Sequence, residues 1–382
     1  MRGRYRWTVL AGLLAASTAP AWSLPLCEPP AQYLAWPPEE PIWRLCAIRP
    51  RDSSGPAGSG LELRNVYFRN RRVLHRAQIP ITAVDHPLPS SQQEPADGEP
   101  PDLCTGRCFP TWTRQEAPFA ADRRVSPGYF ESQSPVQTSC DRVPSPAASN
   151  RAPGRCPWGE ALSCVEGFAA ESEEDRWILT SEVAAAWYRY SLRWIFHRDG
   201  RIEARAGVQS DARSCARTPH THHLLWRFDF DLSPLHRDRV TTPRGTVLGS
   251  EGVRRREIDG DAGWLVQDER SGRGYRLIPG AADEPQSTGD LAVTLYEAVS
   301  ERAASACPVD LRELGHGRLL AGGDLVLWYR SAASISPQAP FRCTVLGPTL
   351  APVGRWPLAG EVLFEDGFEG GDTSLWSTTA EP

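Results

Sequence analysis

Residues 188–208, Tyr-Arg-Tyr-Ser-Leu-Arg-Trp-Ile-Phe-His-Arg-Asp-Gly-Arg-Ile-Glu-Ala-Arg-Ala-Gly-Val, decide how this chain folds. Tyr188, Tyr190, Leu192, Trp194 and Phe196 fall on one face, while Arg189, Ser191, Arg193 and His197 take most of the other. A period of two is the signature of a strand with one buried side. Asp199-Gly200 then offers a tight turn, and 201–208 returns as the partner strand of a hairpin.

The same alternation recurs downstream. From His220 the even positions are His220, His222, Leu224, Trp226, Phe228, Phe230 and Leu232, and the odd ones include Arg227, Asp229 and Asp231. Further strands are expected at 61–68, 264–267, 275–278, 291–296 and 324–329, with short helices only near 180–186 and 298–306. Many two-faced strands and few helices predict a mainly all-β protein, a large antiparallel β-sandwich with disulfide-stapled loops.

Outward from that centre the composition changes. Residues 87–157 are crowded with Pro, Ser, Gly and Cys and read as a loop-rich insert, and 24–60 read as an extended Pro/Gly-rich arm tied down by Cys27 or Cys46. The chain opens with Arg2, Arg4 and Arg6, an apolar run over 8–18 and small-residue cleavage patterns at 19–23. That reads as a signal peptide over 1–23, too short in its apolar part to span a bilayer. Ten cysteines, an even number, fit disulfides in an oxidising compartment, although their pairing does not follow from the sequence. The expected location is therefore outside the cytoplasm, secreted, periplasmic or at the cell surface, with no membrane insertion. The net charge is −5 and all 42 basic residues are arginine, without a basic stripe, so no nucleic-acid partner is expected.

Side chains two apart on a strand point the same way, so His220 and His222 project together into the apolar layer. Two imidazoles there are half of a metal site. An H-x-H at the start of a strand is equally an ordinary polar opening before burial begins, and a tyrosine such as Tyr188 is equally a core residue seeking a hydrogen bond.

Taken together, these segments resemble the catalytic domain of copper amine oxidases. Trp187-Tyr188-Arg189-Tyr190, with Trp194-Ile195-Phe196 and Asp199-Gly200 after it, is similar to the family's quinone-bearing strand. His220-Thr221-His222 with Arg227-Phe228-Asp229 is similar to its H-x-H and R-x-D. Residues 274–279, 291–296 and 324–329 resemble its G-Y-K-L-x-P, W-V-T-x-Y and D-L-V-L-W-Y strands, and 61–66 with 72–74 resemble the domain's entry. The resemblance delimits a sandwich domain over 61–358. It implies oxidative deamination of a small-molecule primary amine with copper and topaquinone, and the family's dimeric habit implies a homodimer. Carried over residue by residue, it puts the topaquinone position at Tyr188, two copper ligands at His220 and His222, and a candidate base at Glu131 in Tyr129-Phe130-Glu131. The third copper histidine would fall at position 335, where this chain has Ile335, and Trp187 and Arg189 replace the residues that usually flank the tyrosine. Those departures imply an alternative, a non-catalytic secreted binding or surface protein on the same sandwich. A third possibility is another metal chemistry that adds His223 or His316. The terminal stretch 359–382 resembles the short G-F-E-S-G-D-T-S-x-W-S tail of many secreted proteins of gammaproteobacteria.

Overall fold

The structure is a computed structural model, and it describes residues 27–54, 59–85, 107–109, 163–165, 168–185, 188–210, 219–233, 237–297, 310–335 and 344–356. Nineteen strands run in chain order through them. The first five are β1 (Gln32–Trp36), β2 (Trp43–Ile48), β3 (Glu62–Phe68), β4 (Arg71–Asp85) and β5 (Arg107–Phe109). Next come β6 (Ser163–Val165), β7 (Phe168–Ser172), β8 (Arg176–Ala185), β9 (Tyr188–His197) and β10 (Ile202–Ser210). β11 (His220–Phe230), β12 (Asp238–Thr241), β13 (Gly252–Arg254), β14 (Trp264–Asp268) and β15 (Gly274–Ile278) follow. The last four are β16 (Leu291–Leu295), β17 (Leu325–Ile335), β18 (Thr344–Leu346) and β19 (Thr349–Val353).

They form two antiparallel sheets. One has the order β1-β2-β3-β4-β11-β17-β16-β13, with β5 beside β4. The other has the order β12-β14-β15-β19-β10-β9-β8-β7-β6, with β18 beside β10. The expected sandwich is what forms, and the alternating segments become β9, β10, β11 and β14 to β17. Among the described residues no helix is long and apolar enough to cross a membrane.

One expectation fails locally. The window 180–186 is not helical: its described part, through residue 185, completes β8, paired along its length with β9. Helix propensity in its alanines is a weak preference, and a ladder to a strand already committed to the core overrides it. The segment read as an arm contributes β1 and β2 to the sheet that contains β11, and a Cys27–Cys46 disulfide ties the approach to β1 onto β2. The other short-helix window, and most of the insert over 87–157, lie outside the described residues.

The inward faces of both sheets meet in one core. Trp43, Trp194, Trp226 and Trp264 are fully buried within it. A buried indole N–H must find an acceptor, and here it stitches the layers. Trp43 donates to the carbonyl of His197 at 2.8 Å, and Trp194 donates to the carbonyl of Leu61 at 2.9 Å. The hairpin between β9 and β10 turns at Gly200, whose φ is +96° and where a Cβ would come within 2.6 Å of the Phe68 ring. Glycine is required there both for the backbone angle and for the ring.

Another stitch is polar. Asp283, 4% exposed, accepts from Tyr329 Oη at 2.7 Å, Ser331 Oγ at 3.0 Å and the N–H groups of Gly280 and Gly347, both at 3.0 Å. Tyr329 and Ser331 belong to β17, whereas Gly347 lies between β18 and β19, so one carboxylate ties the two sheets together. Burial and this carboxylate push the Tyr329 phenol well above its usual range, so it remains a donor.

Candidate functional site

The site sits where β4, β11 and β17 of one sheet face β9 of the other. His220 and His222 point inward from β11 and are 3% and 2% exposed. Their Nε2 atoms are 3.1 Å apart. Tyr190 reaches across from β9, its ring edge-on to His222, and its hydroxyl lies 3.2 Å from His222 Nδ1. Thr82 Oγ1 on β4 stands 3.5 Å from that same hydroxyl. Thr82, Tyr190, His222 and His220 thus form a continuous polar chain at one end of the core.

Two readings of that chain follow from its atoms. In one, an Nε2–H donates to the other Nε2, and the pair shares a proton. In the other, both Nε2 atoms face one cation. With metal–nitrogen bonds of about 2.0–2.1 Å, nitrogens this far apart subtend an angle of about 100° at the metal, within the range that zinc or copper accepts. His222 would then donate Nδ1–H to the Tyr190 oxygen, the outer-sphere arrangement that fixes a ligating imidazole.

A third ligand is the difficulty. In the β11–β17 ladder His220 is paired with Ile335, and His222 with Ala333. Position 335 is therefore beside the histidines, and the residue there is a hydrocarbon. Among the described residues no group of three His, Cys, Asp or Glu side chains could hold a metal ion. His223 belongs to the opposite face of β11, and His316 is on the surface beside Glu297, 3.6 Å between Nε2 and Oε2. Neither joins the pair.

The ring contacts Tyr190–His222 and Trp194–Trp226 show that β9 and β11 run the same way across the gap. The backbone of Tyr188, paired with Ser210 and Ala185, therefore sits level with His220. Its side chain lies outside the described residues, as do those of Trp187 and Arg189. Glu131 also lies outside them. Tyr190 meets His222, and Thr82 meets Tyr190 in turn. Tyr190 shares the parity of Tyr188 in the sequence, but Thr82 carries no signal, because nothing in the sequence pairs β4 with β11. Arg227 and Asp229 of the R-x-D form a buried ion pair at 3.1 Å on the outer face, the guanidinium lying over Trp328. Burial raises the Asp229 carboxyl against the pull of Arg227. This pair supports the sheet and does not touch the histidines.

This architecture, two large antiparallel sheets closed around a histidine pair, is a copper amine oxidase-like sandwich. No family model matches the chain, and no curated protein matches it by sequence. Solved structures do match it. An amine oxidase from Aspergillus nidulans is 14% identical with a TM-score of 0.51, covering 92% of this chain and 56% of that one. A copper-containing benzylamine oxidase from Hansenula polymorpha is 13% identical with a TM-score of 0.54, covering 81% of this chain and 58% of that one. The chain spans a little over half the length of these oxidases, and at such identities the likeness establishes the fold.

Proposed function

We propose that this chain is an exported protein that keeps an amine-oxidase sandwich without the oxidase's chemistry and acts as a non-catalytic binding protein. The observation that carries the proposal is the pairing of Ile335 with His220. Copper and topaquinone are the groups implied by resemblance, and among the described residues no third imidazole joins His220 and His222. Isoleucine offers no lone pair, and Tyr190 contacts the Nδ1 side of His222 instead of the Nε2 side where a cation would sit. Export is supported by the opening signal-like segment and by the Cys27–Cys46 disulfide, a bond characteristic of oxidising compartments.

The test is expression with excess copper under air, followed by phenylhydrazine labelling and peroxide measurement with a panel of primary amines. Neither adduct nor peroxide is expected. A labelled peptide carrying Tyr188, lost in Tyr188→Phe, would restore the oxidase reading. The mature chain should begin near Trp22 or Leu24 by mass spectrometry, and an intact Met1 would refute export.

The 3.1 Å separation of the Nε2 atoms favours one secondary reading, weak chelation of a divalent transition ion by two imidazoles. Copper retained through dialysis by the wild type but not by His222→Ala would establish it.

A further inference from the structure

The reverse side of the same three strands carries a separate cavity. Thr221, His223 and Leu225 alternate with the inward residues of β11 and so face outward. The register places Ala83 of β4 and Ala332 of β17 on either side of His223. Two methyl groups flanking an imidazole leave a hollow, and the cavity there measures about 320 Å³. That is the lower end of the range for small-molecule sites. Ile81 and Leu225, both buried, give it an apolar floor.

Its far wall is the segment 286–288, fixed along β17 by backbone bonds. The N–H of Glu284 donates to the carbonyl of Ala332 at 2.7 Å, and the N–H of Arg330 donates to the carbonyl of Asp290 at 2.8 Å. Arg330, 9% exposed, lines the cavity and donates from Nη1 to Thr288 Oγ1 at 2.8 Å. Among the described residues the remaining polar lining consists of hydroxyls, the Gln286 amide and the His223 imidazole, while the Glu284 carboxylate lies at the rim and accepts from the N–H and Oγ of Ser334 at 3.1 and 2.7 Å. Asp290 lies close behind the wall, but its carboxylate accepts from the backbone N–H groups of Arg256 at 2.7 Å and Gln286 at 2.8 Å.

We propose that this cavity binds a small organic carboxylate with a flat apolar body. The body would rest on Ile81 and Leu225, and the carboxylate would face Arg330 and His223. A buried guanidinium is suited to the planar geometry of a carboxylate and disfavours an ammonium of the same shape. The site is independent of the histidine pair and faces the other way.

Benzoate, benzyl alcohol and benzylamine share a shape and differ in charge, so calorimetric titration of the full chain with each of them tests the proposal. Benzoate should bind saturably, and the other two should bind at least about tenfold more weakly, the factor expected from a charge-assisted hydrogen bond. Arg330→Gln should weaken benzoate by a similar factor. Ala83→Leu should fill the hollow and abolish binding while the thermal transition is kept, and it decides the matter if Arg330→Gln does not fold. Failure of benzoate to bind, equal binding of all three probes, or benzoate affinity unchanged in Ala83→Leu would each overturn the proposal.

Discussion

Two polar regions lie inside one sandwich and share β17, yet they are built differently. Around Asp283 every donor finds the carboxylate: Tyr329, Ser331, Gly280 and Gly347 converge on two oxygens. At the other end of β17, the Nε2 atoms of His220 and His222 meet at 3.1 Å, and Ile335 is paired with His220. The Asp283 arrangement is typical of a polar group retained for stability, since stranding any member leaves buried donors without acceptors. On the reading proposed above, the histidine pair is a site that β17 supplies with no third ligand at position 335.

Substitutions can break that contrast in order of expected effect. Asp283→Ala should be the most damaging, removing an acceptor from four donors and costing on the order of 4 kcal/mol in denaturant unfolding. If it costs less than about 1 kcal/mol, Asp283 does not stitch the sheets together.

Ile335→His should change the other end instead. A third imidazole opposite His220 should strengthen copper binding by more than the roughly 10–100-fold that outer-sphere changes alone produce, read by competition titration. An unchanged affinity would show that position 335 is not beside the metal point.

Asp238 sharpens the comparison, because it is a buried carboxylate with a single described donor, the N–H of Leu232 at 3.1 Å. Burial, opposed by that bond and reinforced by Asp268, Asp231 and Asp324, pushes it up to about 7. A folded-state value above the unfolded one means that its proton stabilises the fold. That contribution is complete below about pH 4 and is lost as the pH rises to about 7. Asp238→Asn should therefore gain about 2 kcal/mol relative to wild type at about pH 8 and little at about pH 4.5. Parallel stability profiles for the two proteins would refute this.

The smallest effect belongs to Tyr190→Phe. It removes the hydroxyl between Thr82 and His222 and should cost about 1 kcal/mol by thermal unfolding, with the fold intact.

Much of the sandwich is legible because strands with one buried face write their period into the sequence, as residues 188–196 and 220–230 do. Residues 180–185 mislead because alanine favours a helix locally, while the pairing that makes them a strand is long-range. The histidine pair is legible from parity, and the hydrocarbon at the third-ligand position from counting along β17. That Tyr190 meets His222 is not legible, because the contact depends on the stagger between the sheets. The Asp283 stitch leaves no trace, since its donors are scattered from 280 to 347. The pairing of Cys27 with Cys46 is equally hidden, because cysteine positions alone leave every connectivity open.

That disulfide has a consequence beyond stability. β1 is exposed over its first half and buried at Trp36, and the bond holds the chain leading into it against β2 at the sheet's border. β2, Trp43–Ile48, is buried almost throughout and has the hydrophobic, β-prone character of an interior strand. If reduction let β1 peel away, β2 would become the outermost strand, with unpaired N–H and carbonyl groups facing solvent, a template on which another chain can add. The bond is thus an edge guard: under reducing conditions the earliest sign of its loss should be self-association, ahead of any unfolding of the core.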